Sequence, residues 1–434
     1  MKVAVVGAGV AGLAAAHRLA PHAQTTLFEA GATFGGHAHT VDVTLPGSHG
    51  PVTHGVDTGF LVLNERTYPQ LLALFTELGV ALAPSEMSFS VQVPRVYGQQ
   101  ALEWSGSSLT SVFAQARNLA NPRFVGMLRD LLRFNRLCTA IAEADDERTL
   151  AQPLGEFLQA RRFGAAFRDW YLLPMLGCIW SCPTDQMLKF PVATMIRFCH
   201  NHGLLQVANR PQWFTVAGGS REYVQKIVRG LPDARCSTPV RRIVRDAAGV
   251  RITTDAGTEH FDRLVLATHS DQALALLAQP SPEERALLGT IRYQANRAVL
   301  HTDTRVLPQR PAAWAAWNYE RAPQERQESA RVCLHYLINR LQPLPFSQPV
   351  IVSLNPVGGI APHHVLGEYD YAHPVFDAAA IRAQRRLGSL QGQQRTWFAG
   401  AWAGYGFHED GLKSGLAAAE GVRASLPAPL AKAA

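Results

Sequence analysis

No stretch constrains this chain more than residues 1–36. Val3-Ala4-Val5-Val6 is a short apolar run, Gly7-Ala8-Gly9-Val10-Ala11-Gly12 follows at once, and the Ala-rich Leu13 to Leu19 comes next. The order reads as strand, glycine turn, helix. The three glycines answer three demands. The strand must turn sharply, a pyrophosphate must approach bare backbone, and the helix must pack close to the sheet with its N-terminus towards the phosphates. Thr25-Thr26-Leu27-Phe28 makes a second strand, and Glu29 ends it, where a carboxylate can accept hydrogen bonds from a ribose. Strand before, helix after and acid at that distance together specify a dinucleotide site.

The next residues bear on which dinucleotide. Glu29-Ala30-Gly31-Ala32-Thr33-Phe34-Gly35-Gly36-His37 resembles the extended fingerprint of the two-dinucleotide-binding-domain flavoproteins, in which the second glycine pair lies near the FAD diphosphate. The resemblance favours FAD over NAD.

With 434 residues, 47% of them hydrophobic, the chain has material for two or three domains. Its formal net charge is +7, yet only five of the 41 basic residues are lysine, and the arginines are spread along the chain. That distribution gives no nucleic-acid footprint, while an anionic substrate or membrane surface fits it. The six cysteines show neither CxxC nor zinc-ligand spacing, so no metal site is expected, and free thiols of a reducing cytoplasm are the default. The apolar start is four residues long and feeds a glycine turn rather than a cleavage site, and no run approaches the roughly 20 apolar residues that span a bilayer. The reading is a cytoplasmic protein, soluble or peripheral at the inner membrane face.

Further along, Thr40–Val43 and Thr53–Val62 read as strands joined at Pro46-Gly47, and Asp57, Thr58 and Gly59 either return the chain to the cofactor or form a structural turn. Residues 68–78 have helical spacing ended by Gly79, and Ser88–Val93 alternates as a strand. Residues 109–144 form the longest helical region, with Phe124, Met127, Leu128, Leu131, Leu132 and Leu137 on an apolar side and Arg123, Arg129, Arg133 and Arg136 among them. This is a core-packed helix with a solvated arginine face, or a membrane or fatty-chain contact. The aromatic, sulfur-rich segment 174–183 carries Cys178 and Cys182, which read as packing residues. Helices follow at 190–200 and 222–229, then a strand meander from Pro239 to Thr254 and a buried-strand run at 261–268 that returns to the first sheet. Residues 282–374 mix strands with Pro-rich turns and a polar loop near Gln324 to Ser329. Thr396–Gly400 is a strand ending in glycine, and Gly411–Ala419 starts a small-residue helix. The expected architecture is α/β (α+β overall): a discontinuous Rossmann-like FAD-binding domain of the glutathione-reductase/amine-oxidase type at 1–67, 204–281 and 391–434. A mixed sheet-plus-helix substrate domain at 68–203 and 282–390 completes it.

The assembled motifs resemble the flavin amine oxidase superfamily, which includes monoamine and polyamine oxidases, protoporphyrinogen oxidase and carotenoid desaturases. The carriers are GAGVAG at 7–12, FEAGATFGG at 28–36, VDTGF at 56–60, VAGGS at 216–220, VLAT at 265–268 and FAGAWAGYGFHEDGLKSGLAAAE from residue 398. More narrowly, VDTGFLVLNERTYP, NHGLLQV, RPQWFTVAGGSREYV and GYGFHEDGLKSG are similar to a bacterial group usually called predicted NAD/FAD-binding proteins. Its members are often found with cyclopropane-fatty-acid-synthase-like methyltransferases, and some resemble enzymes that desaturate methylated acyl chains. The resemblance implies that Gly7, Gly9 and Gly12 contact the pyrophosphate, Glu29 the adenosine ribose and Val240 the adenine. It places Gly400, Gly411 and Leu412 at the flavin pyrimidine and ribityl end, with Ala11, Ala30, Gly35, Gly36, His37, Asp57, Thr58, Gly59 and Thr268 completing the cofactor set. Ala401-Trp402 stands where many amine oxidases have an acid, and His37 replaces the usual arginine.

Flavin dehydrogenation needs a C–H bond held against the ring and water excluded, and no nucleophile motif such as G-x-S-x-G is present. The polar candidates near the flavin are Tyr405, His408, Glu409 and Lys413, with Trp402 and Phe407 as walls; Tyr405, His408 and Lys413 are the catalytic candidates. No second GxGxxG follows a strand, which disfavours a separate NAD(P)H domain. Three functions stay open: an acyl-chain or lipid desaturase using oxygen or another acceptor, an amine oxidase, and a non-catalytic flavoprotein partner of a lipid methyltransferase. For an amine, Trp314, Trp317 and Tyr319 are the candidate cage, or equally core.

Overall fold

The computed structural model describes residues 1–144, 152–180, 183–206, 211–321 and 332–425. The polar loop near Gln324 to Ser329 and Cys182 lie outside these. The strand Lys2–Val6 is the middle of a five-stranded parallel sheet whose other strands are, in spatial order, Asp233–Arg235 and Gln24–Phe28 on one side and Arg263–Leu266 and Thr396–Phe398 on the other. Val3 to Val6 are buried on both faces, as the unbroken apolar run requires of a strand covered from both sides. The helix Val10–Leu19 follows directly and is crossed by the last helix, His408–Ala424. Their approach is close enough that a Cβ on Gly415 would lie 2.1 Å from the Ala11 carbonyl oxygen. Small residues at the crossing, not large apolar ones, bring the two ends of the chain together.

A three-stranded antiparallel meander, Val240–Asp246, Gly249–Thr254 and Gly257–Phe261, lies between two of the parallel strands in sequence. The second large sheet has seven strands in the order Val365–Val375, Arg292–His301, Ile351–Leu354, Cys333–Leu337, Trp317–Glu320, Phe89–Tyr97, Gln100–Ser105. Its pairs are antiparallel except for Trp317–Glu320 on Phe89–Tyr97. Two stretches of chain far apart in sequence thus meet in one sheet. The long edge strand Val365–Val375 escapes a reading from apolar runs because its residues are half-buried and polar: Tyr369, Tyr371 and His373 alternate with Glu368, Asp370 and Ala372.

The helical region expected over 109–144 is broken. A short helix Leu109–Val112 and a 3-10 turn Ala116–Asn118 precede the helix Pro122–Ala144. Pro122 supplies the break: it lacks an N–H and disfavours helical backbone at Asn121, whose Oδ1 instead accepts from the Arg123 amide at 3.0 Å. Leu132, read above with the apolar side, is 56% exposed.

Candidate active site

The glycine turn is closed by the carboxylate at the next strand's end. Glu29 Oε2 accepts from the Ala8 amide and Oε1 from the Gly31 amide, both at 2.8 Å, so the acid is fixed against the turn. Gly35 donates its amide to the Ala8 carbonyl at 2.9 Å, which brings the second glycine pair onto the first. Gly7 turns at φ +97° with its Cα hydrogen against Ala267 and Thr268; a Cβ there would lie 2.7 Å from the Ala267 oxygen. Gly12 is tighter still, 1.8 Å from the Gly7 oxygen by the same measure. Gly9 is different: a Cβ on it would meet no protein atom within 4 Å, and Gly36 faces only Gly9.

The helix that begins after Gly9 has no side-chain cap. Open space at Gly9, an uncapped helix N-terminus and bare backbone at Gly36 form a cradle that fits a diphosphate. Beside it, the half-buried His37 ring lies 4.9 Å from Tyr371 and 5.2 Å from His373, and its buried Nε2 has no hydrogen-bond partner. His37 Nε2 is one of several buried polar atoms without a partner, and it is the one that adjoins the cradle, where a bound ligand can complete it. Burial, with His373, His269 and His408 nearby, holds His37 well below the ordinary histidine range, so it meets that ligand as neutral imidazole.

The remaining expected cofactor residues divide. Gly400 bonds Ser414 through both its amide and its carbonyl, at 2.8 and 3.0 Å, and Gly411 packs on Val10, so the strand end and last helix flank the glycine turn. Trp402 donates its indole N–H to the Thr268 oxygen at 3.0 Å. Val240 is buried at the start of the meander, Leu412 is fully buried and Ala30 is exposed. Ala11 is used in the helix crossing described above. Thr58 Oγ1 lies 2.8 Å from both His39 Nδ1 and Tyr371 Oη, and Gly59 folds back on the His37 carbonyl.

Asp57 is turned into the protein. It accepts from the Ser220 amide and hydroxyl, from Thr40 and from Gln342 Nε2, tying four segments together.

The catalytic candidates separate as well. His408 is buried, stacked on Phe60 at 3.8 Å, with its Nε2 2.9 Å from Tyr223 Oη. Burial pushes His408 down to about 3 and the Tyr223 phenol up, so the phenol donates to a neutral ring. Tyr405 is 37% exposed. Lys413 stands apart from both: it is about half exposed, with Nζ 3.5 Å from Glu409. Glu409 is itself occupied, accepting from the Gln70 and Leu71 amides at 3.0 Å each. The aromatic trio also parts company. Trp317 and Tyr319 belong to the main core, whereas Trp314 packs with Leu307, Leu337 and Ile351 in a separate cluster.

His39, Tyr223, His269, Tyr371 and His373 belong to this neighbourhood and were missed by the motif search; the period of two in Tyr369, Tyr371 and His373 was the available signal.

Glu320, Cys333 and His335 also converge, the one such group of potential metal ligands found among the described residues. Sequence spacing hides it, because Glu320 and Cys333 meet only as a cross-strand pair. Its protons close without an ion. The Asp303 amide donates to His301 Nδ1 at 3.0 Å, so His301 Nε2–H donates to Ser353 Oγ at 2.6 Å. Ser353 then donates to His335 Nδ1 at 2.6 Å, and His335 Nε2–H to Glu320 at 3.0 Å.

Residues 10–337 match the family described as flavin containing amine oxidoreductase. The chain belongs to this family. Its cofactor is FAD, which the cradle at Gly9 and the orphan His37 nitrogen fit. A Mycobacterium tuberculosis protein named for a flavin-containing monoamine oxidase, AofH, is 28% identical over 289 residues, 64% of this chain and 59% of that protein. The chain thus spans less than two thirds of the length of the curated relatives it matches. Among solved structures, the fold is similar to that of a CLA-producing fatty acid isomerase from P. acnes, with TM-score 0.65 and 16% identity over 96% of this chain and 97% of the other. Cyclohexylamine oxidase from Brevibacterium oxydans has TM-score 0.62 and 15% identity, covering 97% and 98%.

Proposed function

We propose that the chain is an FAD-dependent oxidoreductase that dehydrogenates a largely apolar substrate, a fatty-acyl or lipid chain, with oxygen or another acceptor taking the electrons. One observation carries the substrate class. The five buried carboxylates of the described residues are all committed: Asp57 to Thr40, Ser220 and Gln342, Glu103 to Gln309 and Arg310, Glu284 to Arg245, Asp303 to Arg305, and Glu409 to two helix amides. Half-buried Asp410 accepts from the Phe407 amide at its own helix start, so these carboxylates all have protein partners, and with Trp314 in another cluster the aromatic cage is missing one wall. What surrounds the site is apolar and aromatic: Phe60 on His408, Tyr369 on His39, and Tyr371 on His37.

Bound FAD supplies the hydride acceptor. The chain's own part is to hold the substrate in register, exclude water with these rings and keep His37 and His408 uncharged. The fold serves fatty-acid chemistry in one neighbour and amine chemistry in another, so the fold leaves the choice to the side chains.

The test is anaerobic bleaching of the flavin. Methylated phospholipids or their fatty acids should reduce it, and simple mono- and diamines should not. Reduction by amines alone would sink the acyl reading in favour of an amine oxidase. Reduction by neither class would point to a flavoprotein partner of a lipid methyltransferase.

A further inference from the structure

The helix Pro122–Ala144 buries one side and leaves an unusual stripe on the other. Phe124, Met127, Phe134, Cys138 and Ile141 are buried in the core. Opposite them, Val125, Arg129, Leu132 and Arg136 follow at i, i+4, i+7 and i+11, which places all four on a single line along the helix. A solvent-facing line on a globular protein normally mixes charges of both signs. This one is apolar and cationic until it reaches Glu143.

Two further facts make the patch stand out. Of the eight exposed large apolar side chains among the described residues, four (Leu109, Leu119, Val125 and Leu132) fall between residues 109 and 132. Leu119, Ala120, Pro122, Val125, Gly126 and Arg129 also line a shallow groove where the 3-10 turn meets the helix. Over residues 109–144 there are five arginines against two acids.

The arginines are not equivalent. Arg133 lies over the Phe163 ring at 4.1 Å, donates to the Arg161 and Arg162 carbonyls and pairs with Asp130, so it holds the protein together. Arg123 lies over Trp170 and Arg117 over Tyr97. Arg129 and Arg136 are exposed and make no hydrogen bond or ion pair among the described residues.

We propose that this line of Val125, Arg129, Leu132 and Arg136, with Leu119 at its head, is a docking surface for an anionic phospholipid bilayer, on which the helix lies flat. The chemistry matches on both counts. The free guanidinium groups meet lipid phosphates, and valine and leucine between them enter the headgroup–acyl boundary. No helix of the described residues is long and apolar enough to cross a membrane, so this contact is peripheral. With two free arginines and three apolar side chains it is also reversible and salt-sensitive.

The measurement is co-sedimentation of the FAD-loaded protein with vesicles of phosphatidylglycerol and phosphatidylcholine, against phosphatidylcholine alone. Turnover is not read, so failure here leaves the substrate reading standing. Wild type should partition onto the anionic vesicles at least tenfold better than onto neutral ones, and high salt should release it. Arg129→Gln with Arg136→Gln should weaken binding about 25-fold, from about fivefold per arginine. Val125→Ser with Leu132→Ser should weaken it at least tenfold, while the flavin spectrum and thermal melt show the fold intact. Absence of wild-type binding, or binding unchanged in both double variants, overturns the proposal. So does light scattering that finds a dimer which Leu132→Ser breaks, since the patch would then be covered by a second copy.

Discussion

Single residues with the same place in a motif do different things here, and the glycines make this measurable. Gly12→Ala would drive a methyl group into the Gly7 carbonyl, at 1.8 Å. The expected cost is at or beyond the upper end of the ~1–3 kcal/mol typical of overpacking, read as a lost or sharply lowered thermal transition. Gly9→Ala places the same methyl where no protein atom lies within 4 Å, on backbone that any residue can adopt at φ −68°. It should fold with an unchanged apoprotein melting temperature and bind FAD at least tenfold more weakly by fluorescence titration. Equal FAD affinity in wild type and Gly9→Ala would mean that the cradle is not where the diphosphate goes. His408 offers a second contrast. With its ring neutral down to about pH 3 and its Nε2 held by Tyr223, it cannot titrate in the working range. His408→Gln should slow flavin reduction less than tenfold and leave the pH–rate profile unaltered between pH 5.5 and 8; loss of an ionisation from that profile would restore it as an acid or base. The spacing of Gly7, Gly9, Gly12 and Glu29 made the dinucleotide turn legible in the sequence, because local backbone demands recur at fixed offsets. Which glycine faces the ligand and which faces the protein was not legible, since that depends on Ala267 and Thr268, far away in sequence, and on how Gly36 folds back onto Gly9. The orphan state of His37 belongs to the same class, as it is set by Tyr371 and His373 on a strand from the other end of the chain.

Among elements, the most informative contact is the one made by Glu409. Sitting in the first turn of the last helix, it accepts the Gln70 and Leu71 amides and so caps the helix Pro69–Leu78 from outside. Pro69 at that helix's first position and the aromatic Tyr68 before it provide no side-chain cap, and the distant carboxylate fills the role. Glu409→Ala should cost about 0.5–2 kcal/mol in urea unfolding. Lys413→Ala should cost less than about 0.5 kcal/mol, as an exposed partner does, and leave activity untouched. A large activity loss in Lys413→Ala with normal flavin content would return it to the catalytic list. Helices ended by Gly79 and the strands of buried β-branched residues were readable from periodicity and punctuation. The half-buried edge strand Val365–Val375 was not, because its pattern is set by a neighbour on one side and solvent on the other. The break at Pro122 was readable in principle, since proline marks a boundary whatever the apolar spacing around it.

The molecule as a whole carries a set of histidines buried in neutral form. Desolvation pushes His202, His301 and His373 down to about 4 and His408 to about 3, from 6.5 in the unfolded chain. Folded values below unfolded ones mean that their contribution is fully present above pH 6.5 and is lost as the pH falls towards 4. Each removes up to about 1.4 kcal/mol per pH unit in that window. Asp57 and Asp410, raised by burial to about 6, act in the opposite sense, favouring the folded state as the pH falls from 6 to 4. Four against two leaves a net loss on acidification, so urea midpoints should fall between pH 7 and pH 5, and His202→Phe should flatten that slope by about one histidine's worth. A midpoint that rises on acidification would contradict this. The plan of the molecule has one more consequence. The middle strand of the parallel sheet precedes the other four in the chain, its two neighbours on one side come only at Arg263–Leu266 and Thr396–Phe398, and the small-residue face of the first helix is closed by the helix His408–Ala424. Local chain can therefore supply only one flank of the fingerprint strand, Gln24–Phe28, while the opposite flank and the cover on the first helix are long-range contacts that close slowly. Cutting the polypeptide before His408 would leave every N-terminal glycine in place yet strip Val10 and Ala11 of the helix packed on them.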